Sequence, residues 1–138
     1  MPAKDIFHDV VVKALDKDNW NITDDPLTIK FAQIEVVIDL GAEKLIGAEK
    51  GGRKIAVEIK SFLRSSAISD FHTALGQFMN YRLVLEQEEP GRNLFLAVPL
   101  TVYKDFFLLE FGQLVIERYG LKLIVYDVKE EVIDKWIE

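Results

Sequence analysis

Apolar residues recur with two different periods along this chain, and the switches between them divide it into elements. From Asp5 to Leu15, Ile6, Val10 and Ala14 alternate with Phe7, Val11 and Leu15 at helical spacing, which predicts a first amphipathic helix. Asn19 to Pro26 reads as a turn-rich connection. Leu27–Phe31 and Glu35–Leu40 are β-branched and apolar runs joined by a short link, the pattern of a strand pair. Between Leu45 and Lys60 two strand-like runs flank Lys50-Gly51-Gly52-Arg53, and a two-residue Gly-Gly loop signals a tight hairpin because both central positions can take positive φ. A polar link then leads to a helix from Ser69, read as its N-cap, to about Glu86. Asn93–Val98 predicts a strand stopped by Pro99, and helical segments run from Thr101 to Tyr119 with Gly120 as terminator. Leu121–Tyr126 is a further strand, followed by a short terminal segment containing Trp136. The predicted order is α, three β, α, β, α, β, with no internal repeat and no linker, so residues 1–138 read as a single domain.

The hairpin carries the most specific chemistry. Alternation across Arg53–Lys60 puts Ile55, Val57 and Ile59 on one face, taken as the core face, and Ala56, Glu58 and Lys60 on the other. Glu58 and Lys60 are then neighbours: one carboxylate to bind a divalent ion, one ammonium to help activate water or stabilise charge on a phosphate. The same tripeptide also arises as ordinary charge on a wet strand face. Pairing Lys50 with Arg53 across the turn sets Glu43 opposite Lys60, Leu45 opposite Glu58, Gly47 opposite Ala56 and Glu49 opposite Lys54. A hard ion such as Mg²⁺ needs a second carboxylate, and two compete for the role. Glu43 is near by register. Asp39 shares the face but lies roughly 20 Å further along a straight strand, and only a bend, for which Gly41 is suited, would bring it in.

In the following helix Gln77 and Tyr81 stand four residues apart and fall on one face, where they could point together at the hairpin. His8, Asp9 and His72 are further candidates, each more readily explained as a structural residue than as a functional one. The lack of cysteine excludes a Cys-based zinc site and a disulfide framework, and two histidines far apart argue against a His-rich transition-metal site.

Charge and composition modify this picture. The chain is 49% hydrophobic with nine phenylalanines, which argues for a packed globular protein. No apolar run approaches the ~18 residues of a membrane helix, and the start Met1-Pro2-Ala3-Lys4-Asp5 has no apolar segment behind a basic stretch, so a cytoplasmic protein with no membrane contact is expected. A formal charge of −6 counts against a sequence-independent DNA binder. Charge is segregated, however: Glu43–Arg64 holds six basic residues against three acids, whereas Asp127–Glu138 holds five acids against two lysines. The acidic tail and the acidic knot Glu86, Glu88 and Glu89 suit protein contacts better than bare duplex. Val132, Ile133, Trp136 and Ile137 could pack on the core or on a second subunit, a homodimer.

The runs Asp39-Leu40-Gly41-Ala42-Glu43, Glu49-Lys50-Gly51-Gly52 and Ile55-Ala56-Val57-Glu58-Ile59-Lys60-Ser61-Phe62 resemble XisH, the fdxN element excision controlling factor family. The likeness extends to Pro2-Ala3-Lys4-Asp5-Ile6-Phe7-His8-Asp9, Ala74-Leu75-Gly76-Gln77 and Leu121-Lys122-Leu123-Ile124-Val125. The resemblance implies cyanobacteria that excise DNA elements during heterocyst differentiation, with recombination performed by a separate recombinase and this family controlling it. It also implies an α/β fold of the PD-(D/E)XK, restriction-endonuclease-like superfamily: an α-β-β-β-α-β core with a central mixed sheet flanked by helices. That superfamily's pattern falls on Asp39 as first acid, Glu58 as second and Lys60 as the lysine, and Gln77 and Tyr81 resemble the Gln-x-x-x-Tyr element of its RecB-like branch. Ile38 stands where the pattern has proline before the first acid, so Asp39 and Glu43 both stay open. Two functions follow from the resemblance. One is an accessory factor that binds DNA, a companion excision factor and a recombinase. The other is a Mg²⁺- or Mn²⁺-dependent DNA endonuclease using Asp39 or Glu43 with Glu58 as metal ligands, together with Lys60, Gln77 and Tyr81.

Overall fold

The Gly51-Gly52 turn anchors the architecture in this computed structural model, which describes residues 7–31, 34–35, 45–62 and 66–138. Both glycines hold positive φ, +57° and +81°, as a two-residue hairpin connection requires. Strands β4 (Leu45–Lys50) and β5 (Arg53–Ile59) leave it antiparallel, in the register expected from the sequence: Lys50 faces Arg53, Glu49 faces Lys54, Gly47 faces Ala56 and Leu45 faces Glu58.

Around this hairpin the chain runs as α1 (His8–Lys17), β1 (Asn21–Asp24), β2 (Lys30–Phe31), β3 (Ile34–Glu35), β4, β5, α2 (Ala67–Glu88) and β6 (Arg92–Pro99). A helical run follows, α3 (Leu100–Val102), a π-turn (Tyr103–Phe107) and α4 (Glu110–Tyr119), and the chain ends in β7 (Leu123–Asp127) and β8 (Val132–Ile137). Six strands form one mixed sheet in the order β1-β4-β5-β6-β7-β8, while β2 and β3 pair separately. β5, β6 and β7 are mutually parallel, and the β1–β4, β4–β5 and β7–β8 pairs are antiparallel. The fold is α/β with a central mixed sheet flanked by helices, as expected.

Parallel neighbours need long crossovers, here α2 between β5 and β6 and the α3–π–α4 run between β6 and β7. Both cover the same side of the sheet, where Phe71, Ala74, Phe78 and Tyr81 of α2 and Phe107 and Val115 pack on Ala56, Leu94, Leu96, Val98, Leu123 and Val125. The opposite side carries Ile55, Val57, Ile59, Phe95, Ile124 and Tyr126 against Val11 and Leu15 of α1 and Trp20. The central strands are thus apolar on both faces, the usual state of parallel strands.

Several boundaries differ from the sequence reading. Asn21–Asp24, taken as part of a turn-rich connection, is an edge strand on β4, and the terminal segment containing Trp136 is strand β8, paired with β7. β1 alternates exposed and half-buried, so its polar residues fit an edge that packs on one side only. The apolar runs at Leu27 and Glu35 contribute only two residues each to the β2–β3 pair; residues 36–40 lie outside the described residues. Helix α2 begins earlier than expected because Ser66, not Ser69, is the N-cap: its Oγ accepts from the Ser69 N–H at 3.2 Å. Gly120 does end α4, in the left-handed region, with the Leu121 N–H reaching back to the Ile116 carbonyl at 3.0 Å. Among the described residues no helix is long and apolar enough to cross a membrane.

Candidate functional site

Glu58 lies one residue before the end of β5, a central strand, and not on a wet face. Its register partners are Leu45 on β4 and Leu96 on β6, and it shares the α2-covered side of the sheet with Ala56. The residue is 1% exposed. The expectation of a solvated Glu-x-Lys face is therefore corrected: the apolar alternation Ile55, Val57, Ile59 does mark a core face, but the helix crossover creates a second core on the other side. A carboxylate is costly to desolvate and is retained at such a position only with partners that compensate it.

Lys60 follows the last ladder residue of β5, and its N–H still donates to the Ala97 carbonyl at 3.0 Å, which continues the strand one step. Two residues from Glu58, it emerges on the same side and is half-buried. Glu58 and Lys60 thus stand at the carboxyl end of β5, which runs parallel to β6, the end at which open α/β sheets build ligand sites.

Helix α2 supplies the cover. Asp70, Ala74, Gln77, Tyr81 and Val84 follow a 4-3-4-3 spacing that forms one stripe. Asp70 is 5% exposed, Tyr81 2% and Gln77 half-buried, so the stripe faces the sheet. Gln77 and Tyr81 are accordingly on the helix face that covers Glu58's side of the sheet. Asp70 was not singled out from sequence, where it reads as an ordinary acid in a first helical turn. Its position seven residues before Gln77, on the same face, was the available signal. Glu58, Lys60, Asp70, Gln77 and Tyr81 each take part in a polar or ring interaction.

The remaining candidates separate. His8 is 3% exposed and its Nε2 lies 2.9 Å from Asp25 Oδ2, which ties the start of α1 to the chain leaving β1. Asp9 is exposed, and the His72 ring is an exposed neighbour of Phe71 at 6.1 Å. Asp39 and Glu43 lie outside the described residues. Among the described residues no group of three or more His, Asp or Glu side chains is placed to hold a metal ion.

The segregated charge is partly matched within the fold. At the hairpin tip Lys50 Nζ donates to the Asp18 carbonyl at 2.7 Å and sits 5.9 Å from the Trp20 ring centre, while Arg53 pairs with Glu138 and lies 5.7 Å from the Phe95 ring. Lys13 meets Glu131 at 3.3 Å, and Arg92 holds Glu89 at 3.1 Å. With Asp134 lying 3.9 Å from Lys135, three acids of the tail and one of the acidic knot have basic partners.

Comparison with known proteins places these features in context. The sequence pattern of the XisH protein family matches residues 1–134. An XisH family protein from Nostoc punctiforme PCC 73102 is 56% identical, superposes with a TM-score of 0.89, and the match covers 97% of this chain and 100% of that one. A protein from Anabaena variabilis described as an fdxN element excision controlling factor is also 56% identical, with a TM-score of 0.90 over 98% of this chain and 100% of that one. No curated protein matches.

Proposed function

The chain belongs to the XisH family, and on that premise we propose that it controls excision of a DNA element as an accessory to site-specific recombination. The observation that carries this reading is the 56% identity, over 98% of this chain, with the protein described as an fdxN element excision controlling factor. In this reading the protein works in the cytoplasm of a cyanobacterial cell undergoing differentiation. It holds element DNA together with a companion excision factor and a recombinase, alone or as a homodimer. The net charge of −6 supports it, since protein contacts suit such a surface better than unassisted duplex binding.

A second reading, a metal-dependent DNA endonuclease of the PD-(D/E)XK type, draws support from the burial of Glu58 at 1% exposure beside Lys60 and under the stripe of Asp70, Gln77 and Tyr81. A buried carboxylate fits one oxygen position around a hard ion such as Mg²⁺ or Mn²⁺, and Asp39 or Glu43 would complete the pair. The ion when bound would supply Lewis acidity and an activated water. Lys60 would place its ammonium against the phosphate, and Gln77 and Tyr81 would orient around it.

Gel retention separates the two readings. The protein is incubated with element DNA, recombinase and companion factor at physiological salt, and in parallel with supercoiled, linear and branched DNA in Mg²⁺ or Mn²⁺. The accessory reading expects retention with partners and no cleavage that Glu58→Gln or Lys60→Ala removes. Failure to retain either DNA or partner overturns it, and cleavage lost in both variants establishes the endonuclease instead.

A further inference from the structure

Just past Lys60 the polypeptide forms one wall of a cleft of about 480 Å³ over the carboxyl ends of β5, β6 and β7. That volume is in the ~300–1,000 Å³ range of small-molecule sites. Three of its walls are aromatic: Phe7 at the start of α1, Phe62 after β5 and Phe106 in the π-turn. Each ring is braced from behind by another. Phe7 stands edge-on to Tyr126 at 6.2 Å, Phe62 edge-on to Phe107 at 6.1 Å, and Phe106 leans on Phe71 at 5.2 Å. Phe62 also holds φ at +57°, in the left-handed region that bulky residues avoid. Such conformations persist where the surroundings over-determine them, and they concentrate at ligand sites. The slot is therefore pre-formed.

The geometry points to this cleft as a slot for one unpaired nucleobase of a DNA strand whose phosphate lies on the Lys60 side. The inference rests on the DNA-handling reading above and names the form of DNA it handles. Braced aromatic walls suit a flat ring, and stacking of bases on aromatic side chains tolerates sequence. Ser61, Thr101 and Asp105 supply polar groups at the edges, and Asp105 and Thr101 are exposed at the rim. A carboxylate accepts hydrogen bonds only, so Asp105 favours the N–H-bearing edge of a base and repels a phosphate. The phosphate is thereby directed away from Asp105, toward the wall formed by Ser61 and Phe62, which Lys60 precedes. Placing a base there requires it to leave its stack, which costs least where it is already unpaired. Single-stranded, gapped or bubbled DNA is thus the preferred substrate over intact duplex.

The test uses the full chain with two matched oligonucleotide duplexes carrying 2-aminopurine, one fully paired and one with that base in a three-nucleotide bubble, at fixed salt. Expected are at least a tenfold tighter bubble complex and quenched fluorescence only in the bubble. Thr101→Tyr, which fills the slot from an exposed position, and Asp105→Lys, which removes the acceptor, should each abolish the quenching, with Thr101→Tyr bringing bubble affinity down to that of the duplex. Equal binding of both duplexes without quenching overturns the slot and leaves the DNA reading standing. If neither duplex binds, with the companion factor and recombinase also present, the DNA reading fails and deoxyadenosine monophosphate becomes the probe. Saturable shifts of the Thr101 and Asp105 amide resonances would then uphold the slot, and their absence would overturn it.

Discussion

Glu58 stands directly across the parallel ladder from Leu96, a carboxylate set into a row otherwise made of Ala56, Leu94 and Val98. A residue kept at 1% exposure in that company is expected to cost stability when its shape and partners are lost and little when they are kept. Glu58→Ala should lower the unfolding free energy by about 1–3 kcal/mol, and Glu58→Gln by less than about 1 kcal/mol. Urea unfolding of the two variants measures this. Equal losses would show that the negative charge itself, not its packing, holds the site together.

The His8–Asp25 contact makes a separate claim on stability. An ionised carboxylate can only accept, so the His8 Nε2–H donates to Asp25 Oδ2 over 2.9 Å. His8 is almost wholly buried, whereas Asp25 is about one-third exposed, 32% for its side chain. We expect His8→Ala to cost about 2–4 kcal/mol through the cavity and the lost bond, Asp25→Ala about 1 kcal/mol, and a double-mutant cycle to return a coupling near 1 kcal/mol. A coupling of zero would mean that His8 acts by packing alone.

Two glycines should respond to alanine with opposite signs. A Cβ on Gly112 would lie 2.5 Å from the Phe106 carbonyl oxygen and from Phe107 Cα, backbone atoms of the π-turn that cannot swing aside. Gly112→Ala should destabilise by about 1–3 kcal/mol. Gly76, inside α2, has nothing within 4 Å of the same position. Gly76→Ala should stabilise by up to about 1 kcal/mol, since the helix gains and the unfolded chain loses freedom. Thermal melts of both variants decide the matter, and a shift of the same sign in both would contradict the packing described for α4.

Arg92 joins the starts of β5 and β6. Its side chain is 7% exposed, Nη1 donates to the Ile55 carbonyl at 2.9 Å, and Nε pairs with Glu89 at 3.1 Å. Lysine cannot reproduce this two-way geometry. Arg92→Lys is expected to cost about 1–3 kcal/mol, and Glu89→Gln less than about 1 kcal/mol because that partner is more exposed. Denaturant midpoints give both values.

How far these features were legible depended on whether their cause was local. The hairpin register follows from Gly51-Gly52 alone, because a two-residue turn leaves one pairing for Lys50 with Arg53 and hence for Leu45 with Glu58. Gly120 likewise announces the end of α4. The wet face assigned to Glu58 failed because its burial is produced by α2, which crosses from β5 to the parallel strand β6, and no pattern within β5 reports that crossover. β1 was missed because Asn21, Thr23 and Asp24 belong to an edge strand, where one-sided packing lets polar residues stand. In the site, the alternation that made Glu58 and Lys60 neighbours and the spacing that aligned Gln77 with Tyr81 were both visible. Asp70 joined them only when α2 was seen to turn that face inward. Asp39 and Glu43 lie outside the described residues, so the choice between them passes to experiment.

Control of excision is the proposed role, and Glu58 and Lys60 at the carboxyl end of β5 are the residues through which we propose that it is exerted. The most direct measurement is the yield of excised circle from a plasmid bearing the element's two recombination sites, with recombinase and companion factor held constant. Excision should change at least tenfold when the wild-type chain is added, and Glu58→Gln and Lys60→Ala, confirmed folded by thermal melts, should return the yield to that without the chain. A yield unaffected by the chain, or equally affected by wild type and both folded variants, would contradict the account.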